Sequence, residues 1–303
     1  MSVSTLSKPV STLLHMCRKN FVNRLSSTMA FETLSVSVPH EFVYHVSLNR
    51  PDKLNALNKT MWLEIGKCFN ELNEDENCRV VVLSGAGRLF TAGIDFANLM
   101  ETSPIIAAQD DVARRAKIFY NFVVKYQKSI TSLELCKKPV IAAVHSACVG
   151  AGVDMITAAD MRYCTKDAWF QVKEVDIGMA ADVGTLQRLP KVIGSDSLAR
   201  ELCYTARKMH ADEALSSGFV SRVFENKEKM LEEVLKIALS IAKKSPVAVQ
   251  GTKTSIVYSR DHSVQDGLDQ IAFWNQLMLQ SEDFAEASMA QISKEHNVKF
   301  SKL

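Results

Sequence analysis

The chain contains 303 residues, of which 47% are hydrophobic and 23% are charged, and its formal net charge is +2. This composition is typical of a folded protein with a sizeable core, and it excludes disordered, collagen-like and disulfide-scaffold chains. The near-neutral charge leaves no surplus of lysine and arginine to neutralise phosphates, which argues against a dedicated nucleic-acid binder. The longest apolar run is far short of the roughly 20 residues that a membrane-spanning helix needs. Seven cysteines without a CxxC pair indicate a reducing compartment and argue against a zinc site.

The two ends of the chain resemble targeting signals. The first acidic residue is Glu32, and residues 1–30 are basic and rich in serine and threonine. This is typical of a mitochondrial transit peptide, although an untargeted disordered tail has the same features. The last three residues, Ser301, Lys302 and Leu303, form a peroxisomal address when exposed at the C-terminus. The two addresses are compatible only in a protein that serves both organelles, so we expect the mitochondrial matrix, the peroxisome or both.

Taken in chain order, the first predicted elements after the leader are strands. Alternating apolar residues over 34–38 and 42–48 predict a β-hairpin with half-buried strands. Helical spacing over residues 62–72 predicts a helix. Two short apolar runs, residues 79–83 and 139–144, then predict buried strands. Strands that alternate with helices favour βα units and a largely parallel sheet, hence an α/β fold.

The remaining predicted elements are helices. Apolar residues over 112–133 recur on one helical face, between the two predicted buried strands. From Asn226 onward the pattern is helical throughout, and Pro246 ends one helix or separates it from the next. Two more helices are predicted at residues 264–279 and 283–292.

No low-complexity linker divides the chain, which favours one α/β core followed by a helical segment. We therefore expect a leader over residues 1–30, a core over 31–245 and a C-terminal helical region over 246–303.

Two glycine loops, Gly85-Ala86-Gly87 and Gly150-Ala151-Gly152, follow the predicted buried strands. Neither completes the dinucleotide fingerprint GxGxxG, because Phe90 and Met155 stand at the third glycine position, and no P-loop motif exists. Small residues let backbone N–H groups approach a ligand closely. Two such loops can converge on a carbonyl oxygen and hold it as it becomes an oxyanion. Most glycine loops are simple turns, so the spacing alone supports this only weakly.

Four carboxylates, Asp154, Glu174, Asp176 and Asp182, fall among apolar residues. Acids in such contexts are either satisfied structural groups or acid–base residues with shifted pKa values. The context alone does not choose between these roles.

Two further residues are weaker candidates for catalysis. His145 follows a predicted buried strand, and we expect a packed or hydrogen-bonded side chain rather than a base. Cys148 lacks a recognisable histidine or asparagine partner motif, so we expect a small buried side chain rather than a nucleophile.

Four motifs resemble those of the enoyl-CoA hydratase/isomerase, or crotonase, superfamily. They are RPDKLNALN (50–58), LFTAGIDF (89–96), CVGAGVD (148–154) and ADEALSSGFVSRVF (211–224). The resemblance covers nearly everything except the leader. Within the superfamily, the stretch FQVKEVDIGMAADVGTLQRLPKVIG (170–194) closely resembles the dienoyl-CoA isomerases.

The resemblance implies a spiral of ββα units with a C-terminal helical region that trimerises, and trimers that can pair into hexamers. It also implies an acyl-CoA thioester substrate, with no cofactor beyond the coenzyme A that the substrate carries. The thioester carbonyl would accept from the backbone N–H groups of Ala92 and Ala151. The loop that lines the thioester site would consist of Ala92, Gly93, Ile94, Asp95 and Phe96.

The acids of the dienoyl-CoA isomerases match Asp154, Glu174 and Asp182 of this chain. By resemblance, Glu174 would remove a proton from C2 of a 3,5-dienoyl thioester and Asp182 would deliver one to C6, with Asp154 supporting the pair. Proton transfer of this kind needs one ionised and one protonated acid, hence pKa values that are pushed apart.

One residue departs from the family pattern, because Ala151 stands where the family has a second glycine of three. Its N–H can still donate if the backbone does not need a positive φ angle there. Two alternatives to the isomerase stay open. A 2-enoyl-CoA hydratase would use acids at Asp154 and Glu174, typically both glutamate, and would not need Asp182. A noncatalytic crotonase-like binding protein would not need the three acids.

Overall fold

The computed structural model describes residues 30–97, 110–294 and 298–303. The predicted leader, residues 1–30, therefore lies outside the described residues except for Ala30.

A six-stranded sheet forms the centre of the fold. Its strands, in spatial order, are β1 (Leu34–His40), β2 (Val43–Leu48), β3 (Val80–Gly85), β4 (Val140–Val144), β6 (Met161–Thr165) and β9 (Arg222–Phe224). Strands β1 and β2 form the predicted antiparallel hairpin, and the other pairings in this sheet are parallel. A second sheet contains β5 (Ala147–Val149), β7 (Trp169–Gln171) and β8 (Met209–His210).

Helices surround the two sheets. They are α1 (Lys59–Glu74), α2 (Val112–Leu135), α3 (Ala151–Thr157), α4 (Thr185–Ile193), α5 (Asp196–Thr205), α6 (Ala211–Ser216), α7 (Lys227–Ala242), α8 (Pro246–Ser259), α9 (Val264–Met278) and α10 (Glu282–Ser293). Side-chain caps begin several of them; for example, Asn58 accepts from the N–H of Met61 at the start of α1.

The order of the elements gives the chain its spiral path. The consecutive strands β4 and β5 enter the large and the small sheet respectively, and helix α3 follows them. Strands β6 and β7 repeat this division, with a short 3-10 helix (Glu174–Ile177) and α4 after them. These two ββα units therefore each add one strand to each sheet, whereas β1 and β2 of the first unit both belong to the large sheet. The end of β4 and all of β5 lie next to the loops that build the site.

Alternation along the strands divides the apolar side chains between two cores. In the larger core, Val46 and Leu83 belong to one cluster with residues of α1 and α2. On the other face of the sheet, Val82 and Ile141 pack with Val234 and neighbouring residues of α7. Strands β3 and β4 are buried on both faces, which explains their uninterrupted apolar runs.

The C-terminal helices begin at Pro246, the first residue of α8. Proline is tolerated there because the first N–H of a helix needs no helical partner. Helices α9 and α10 bury few side chains, and they expose a group of large apolar residues: Val264, Leu268, Phe273, Leu277, Phe284, Met289 and Ile292. Among the residues that the structure describes, no helix is both long enough and apolar enough to cross a membrane.

Two features of the helices do not follow from the sequence patterns. The apolar face of α2 is buried only in its C-terminal half, where Ile130 and Leu133 are inaccessible, whereas Val112 is 69% and Phe119 48% exposed. The charges over residues 227–244 do not all lie on a solvated face, since Lys227 Nζ donates to Gly85 O at 2.8 Å and to Gly87 O at 3.0 Å. The periodic pattern of α2 does not reveal which part of the helix borders a cavity. The charge of Lys227 does not reveal that its ammonium group binds two backbone carbonyls.

Candidate active site

An apolar cavity of about 280 Å³ lies between α1, α2, the start of α3 and the turn after β7. Its walls include the loop residues Ala92, Gly93, Ile94, Phe96, Gly150 and Ala151, the aromatic residues Trp62, Phe119, Phe122 and Tyr126, and the acids Glu174 and Asp182. Trp62 and Tyr126 stack with their ring centroids 4.6 Å apart. The cavity therefore combines a long apolar wall with few polar groups, as a site for an acyl chain would.

The first wall of the cavity is a loop that backbone hydrogen bonds join to the segment just before α1. The N–H of Leu57 donates to Gly93 O at 2.8 Å, and the N–H of Asp95 donates to Leu57 O at 3.1 Å. Glycine is required at position 93, where φ is +93° and a β-carbon would lie 3.0 Å from Val149 O. The carboxylate of Asp95 pairs with Arg50 at 3.0 Å.

The expected role of Ala92 as an oxyanion donor is wrong, because its N–H already donates to Leu54 O at 3.0 Å. The N–H of Ile94, two residues further along the same loop, has no acceptor among the described residues, and Ile94 lines the cavity. We therefore assign the loop's available donor to Ile94. Motif spacing identified the loop, but only the hydrogen bonds identify which N–H is free.

The second available donor is Ala151, the first residue of α3. Its N–H has no acceptor among the described residues, and its φ angle is not positive, so the alanine fits where the family pattern has glycine. The preceding Gly150 has φ = +52° and supplies the turn. The following Gly152 is needed for close packing, since a β-carbon there would overlap Thr91.

Asn55 is a structural residue of this site that the sequence patterns did not identify. It is fully buried, and its side-chain Nδ2 donates to Ala86 O at 2.8 Å and to Phe90 O at 3.1 Å. Its own carbonyl accepts from Thr91 Oγ1 at 2.6 Å. One asparagine therefore joins both ends of the segment that leads into the cavity loop. Its position inside RPDKLNALN was the available signal.

Glu174 opens the 3-10 helix after β7 and lines the cavity. Its Oε1 lies close to Gly150, since a β-carbon at that position would be 3.2 Å from it. Its Oε2 is buried and has no hydrogen-bond partner within the described part of the chain. Burial raises the pKa of Glu174, and the charge of Asp182 adds to this rise. Backbone hydrogen bonds from Lys173 and Glu174 itself oppose the rise. A carboxylate with a raised pKa and one oxygen without a partner suits a group that accepts a proton.

Asp182 also lines the cavity and is half-buried. Burial raises its pKa above the ordinary aspartate value. Its backbone carbonyl accepts from Gln127 Nε2 at 2.7 Å, which attaches this turn to α2. Proximity to the cavity and a raised pKa are the two properties that a general acid needs.

Asp154 lies behind the cavity wall rather than on it. It is 0% exposed, its Oδ1 accepts from the N–H of Thr185 at 2.5 Å, and its Oδ2 has no partner among the described residues. Burial raises the pKa of Asp154 to about 7; the charges of Glu174 and Asp182 add to the rise, and the Thr185 hydrogen bond opposes it. The three acids are therefore electrostatically linked.

The other candidates take structural roles. Asp176 is exposed and pairs with Lys173 at 2.9 Å. His145 Nε2 lies 3.0 Å from Gly87 O, in agreement with the expected hydrogen-bonded histidine. Cys148 is fully buried, and burial raises the pKa of its thiol, so it is not activated as a nucleophile. Within residues 30–97, 110–294 and 298–303, no three His, Cys, Asp or Glu side chains are arranged to hold a metal ion.

A family model described as enoyl-CoA hydratase/isomerase matches residues 40–297. The chain therefore belongs to the enoyl-CoA hydratase/isomerase family. Two solved structures of enoyl-CoA hydratases have the same fold: that from Bacillus anthracis has a TM-score of 0.78 at 28% identity and covers 88% of this chain and 99% of its own. That from Geobacillus kaustophilus has a TM-score of 0.77 at 29% identity, covering 89% and 98%. The predicted crotonase-like α/β fold is confirmed.

Within the family, the chain is similar to proteins named Delta(3,5)-Delta(2,4)-dienoyl-CoA isomerase. The mitochondrial protein of Rattus norvegicus is 53% identical over 275 residues, covering 90% of this chain and 84% of the relative. The peroxisomal protein of Arabidopsis thaliana is 44% identical over 261 residues, covering 86% and 93%. Crotonyl-CoA hydratase of Syntrophomonas wolfei is 33% identical over 228 residues.

Proposed function

We propose that this protein is an isomerase that converts 3,5-dienoyl-CoA into 2,4-dienoyl-CoA in the β-oxidation of unsaturated fatty acids. The observation that carries the proposal is a set of three linked acids at an apolar cavity: Glu174 and Asp182 line it and Asp154 lies behind its wall. Ile94 and Ala151, whose backbone N–H groups have no acceptor among the described residues, line the same cavity. The names of the similar dienoyl-CoA isomerases support the same activity.

The first step removes a proton from C2. The thioester oxygen accepts from the N–H groups of Ile94 and Ala151, which acidifies the C2–H bond. Glu174 takes the proton, and the electron pair spreads over the chain as an extended dienolate. Each properly placed oxyanion donor contributes about 3–4 kcal/mol to the stability of such a transition state.

The second step delivers a proton to C6. Asp182 donates it, so that the double bonds move from C3 and C5 to C2 and C4. Glu174 is then protonated and Asp182 ionised, and one proton must pass from the first acid to the second, directly or through solvent, before the next turnover. Asp154 supports the pair electrostatically, since the charges of Glu174 and Asp182 raise its own pKa and the three acids therefore do not titrate independently.

Accumulation of a conjugated product tests the proposal. A 3,5-dienoyl-CoA is mixed with the protein, and ultraviolet absorbance of the 2,4-dienoyl-CoA product is followed. In parallel, a 2-enoyl-CoA is assayed for the 3-hydroxyacyl-CoA that a hydratase would form. Hydration without isomerisation would favour the hydratase alternative, and neither activity in a folded sample would favour a noncatalytic binding protein.

We further propose that the chemistry needs no cofactor, because side-chain acids and backbone donors supply every proton transfer and charge contact in the two steps. We propose a homotrimer or homohexamer, supported by the apolar residues that α9 and α10 expose. The division into a leader over 1–30, a core over 31–245 and a helical region over 246–303 is likewise proposed, supported by the start of α8 at Pro246.

For localisation we propose the mitochondrial matrix and the peroxisome. The relatives are named mitochondrial or peroxisomal, and the two ends of this chain carry both kinds of address. Immunostaining of the untagged protein tests this. Truncation after Phe300 should abolish peroxisomal staining and leave mitochondrial staining intact, and purely cytosolic protein would contradict both addresses.

A further inference from the structure

Arg188 of α4 follows Asp182 by six residues and is not among the residues that line the cavity. It is only 8% exposed. Its Nε and Nη2 donate to Glu134 Oε2 at 3.2 and 2.9 Å, and Nη2 also donates to Thr131 Oγ1 at 3.0 Å. Because the donors of a guanidinium form a rigid planar fork, these contacts to α2 set the orientation of the whole group.

The oriented guanidinium packs against Gly184, the residue that precedes α4. Gly184 has φ = +139°, and a β-carbon at this position would overlap Nη1 of Arg188. The backbone carbonyl of Gly184 also accepts from the N–H of Arg188 at 3.0 Å. The guanidinium of Arg188 therefore packs against the turn, and the backbone N–H of Arg188 is hydrogen-bonded to it.

This turn carries two contacts of the proposed site. Asp182 stands two residues before Gly184, and Thr185, directly after it, donates its N–H to Asp154 at 2.5 Å. A shift of the turn would therefore move the proton donor and release the hydrogen bond to the buried acid together.

Glu134 also connects Arg188 to the C-terminal helices. It forms an ion pair with Arg260, the residue that follows α8. Burial acts to raise the pKa of Glu134, but the hydrogen bonds and charges of the two arginines outweigh it, so that its pKa lies below the usual value. The acid is therefore ionised at neutral pH and holds both guanidinium groups.

We infer that Arg188 is a positioning residue, which holds the turn over residues 182–185 against α2 through Glu134 and thereby places Asp182 and the Thr185 donor. Only the expected effect on kcat rests on the proposed isomerase activity. The placement of the turn itself is a property of the free protein.

Arg188→Lys tests the inference, since lysine keeps the charge but loses the fork. We expect kcat for 2,4-dienoyl-CoA formation to fall at least about 10-fold, because misplacing a reacting group by 1 Å can cost about 100-fold. KM should change little, since Arg188 does not line the cavity. Arg207→Lys is the matched control: Arg207 also binds a carboxylate through two nitrogens, at Glu213 on the surface, and should keep wild-type kinetics.

Hydrogen–deuterium exchange of the free protein provides a readout that does not depend on catalysis. Peptides that contain Thr185 should exchange faster in Arg188→Lys than in wild type or Arg207→Lys, while the β3 and β4 peptides stay protected. Thr131→Val removes a single contact and should give a smaller change of the same kind, which keeps the test available if Arg188→Lys does not fold.

Two results would overturn the inference: unchanged exchange around Thr185, or faster exchange throughout the sheet with unchanged kcat per folded site, since that would indicate general destabilisation. A wild-type protein without isomerase turnover would instead count against the proposed function. In that case faster exchange confined to the Thr185 peptides would still support the positioning role.

Discussion

Glu174 and Asp182 both line the cavity, and burial raises the pKa of each. Both residues are half-buried, and Glu174 Oε2 has no hydrogen-bond partner among the described residues. We expect Glu174→Gln to stop both isomerisation and deuterium exchange at C2, because no base then removes the C2 proton. Asp182→Asn should retain C2 exchange while forming little conjugated product. Each rate loss should be on the order of 100- to 10,000-fold. Wild-type isomerisation by Asp182→Asn, measured by absorbance alongside the exchange in deuterated water, would eliminate the two-acid shuttle.

Asp154 should make the stability of the fold depend on pH. Its pKa rises from 3.8 to about 7 on folding, so the folded state binds the proton more tightly than the unfolded chain. The resulting stabilisation is complete below about pH 4 and is lost as the pH rises towards 7. Asp154→Asn cannot ionise and avoids this loss, so its stability relative to wild type should increase by a few kcal/mol between pH 4 and pH 8. Melting temperatures of both proteins across this range check the sign, and a parallel pH dependence would contradict it.

At the scale of single elements, the turn from β5 into α3 determines how close a thioester can approach. Ala151 has a helical backbone and lies 6% exposed at the cavity wall. We expect Ala151→Gly to keep activity, because the N–H stays in place. Ala151→Val should crowd the thioester oxygen and weaken one oxyanion contact, with a loss of up to about 3–4 kcal/mol in transition-state stabilisation. Steady-state kinetics of the two variants check this, and wild-type kcat and KM in Ala151→Val would refute the close-approach argument.

The sequence predicts those elements in which the spacing of apolar residues within the segment itself indicates the type of element. The hairpin of β1 and β2, the doubly buried β3 and β4, and the helices α9 and α10 all follow from spacing along the chain. The donor in the cavity loop did not follow, because whether Ala92 or Ile94 has a free N–H depends on a distant carbonyl, that of Leu54. For the same reason the sequence did not reveal the hydrogen-bond partner of Asp154, since Thr185 is 31 residues away.

At the scale of the whole molecule, the apolar residues of α9 and α10 have no partner surface among the described residues. Phe273 is 71% and Ile292 83% exposed, and exposed patches of this kind mark interfaces. The unsatisfied Nε1 of Trp274 and Oε1 of Gln270 lie in the same helix, α9. These observations agree with the family resemblance, which implies contacts between subunits through the C-terminal helices.

Phe273→Asp should therefore separate the subunits, since burying one phenylalanine contributes about 2–3 kcal/mol and an unpaired buried charge costs more. Light scattering after size exclusion should give three or six times the chain mass for the wild type and a lower mass for the variant. Tyr204→Asp is the control, because Tyr204 is 66% exposed on α5, outside the C-terminal helices, and its loss should leave the assembly intact. A wild-type protein that runs as a monomer would contradict the proposed assembly. A monomeric Phe273→Asp variant that keeps full kcat would further show that each subunit builds its site alone.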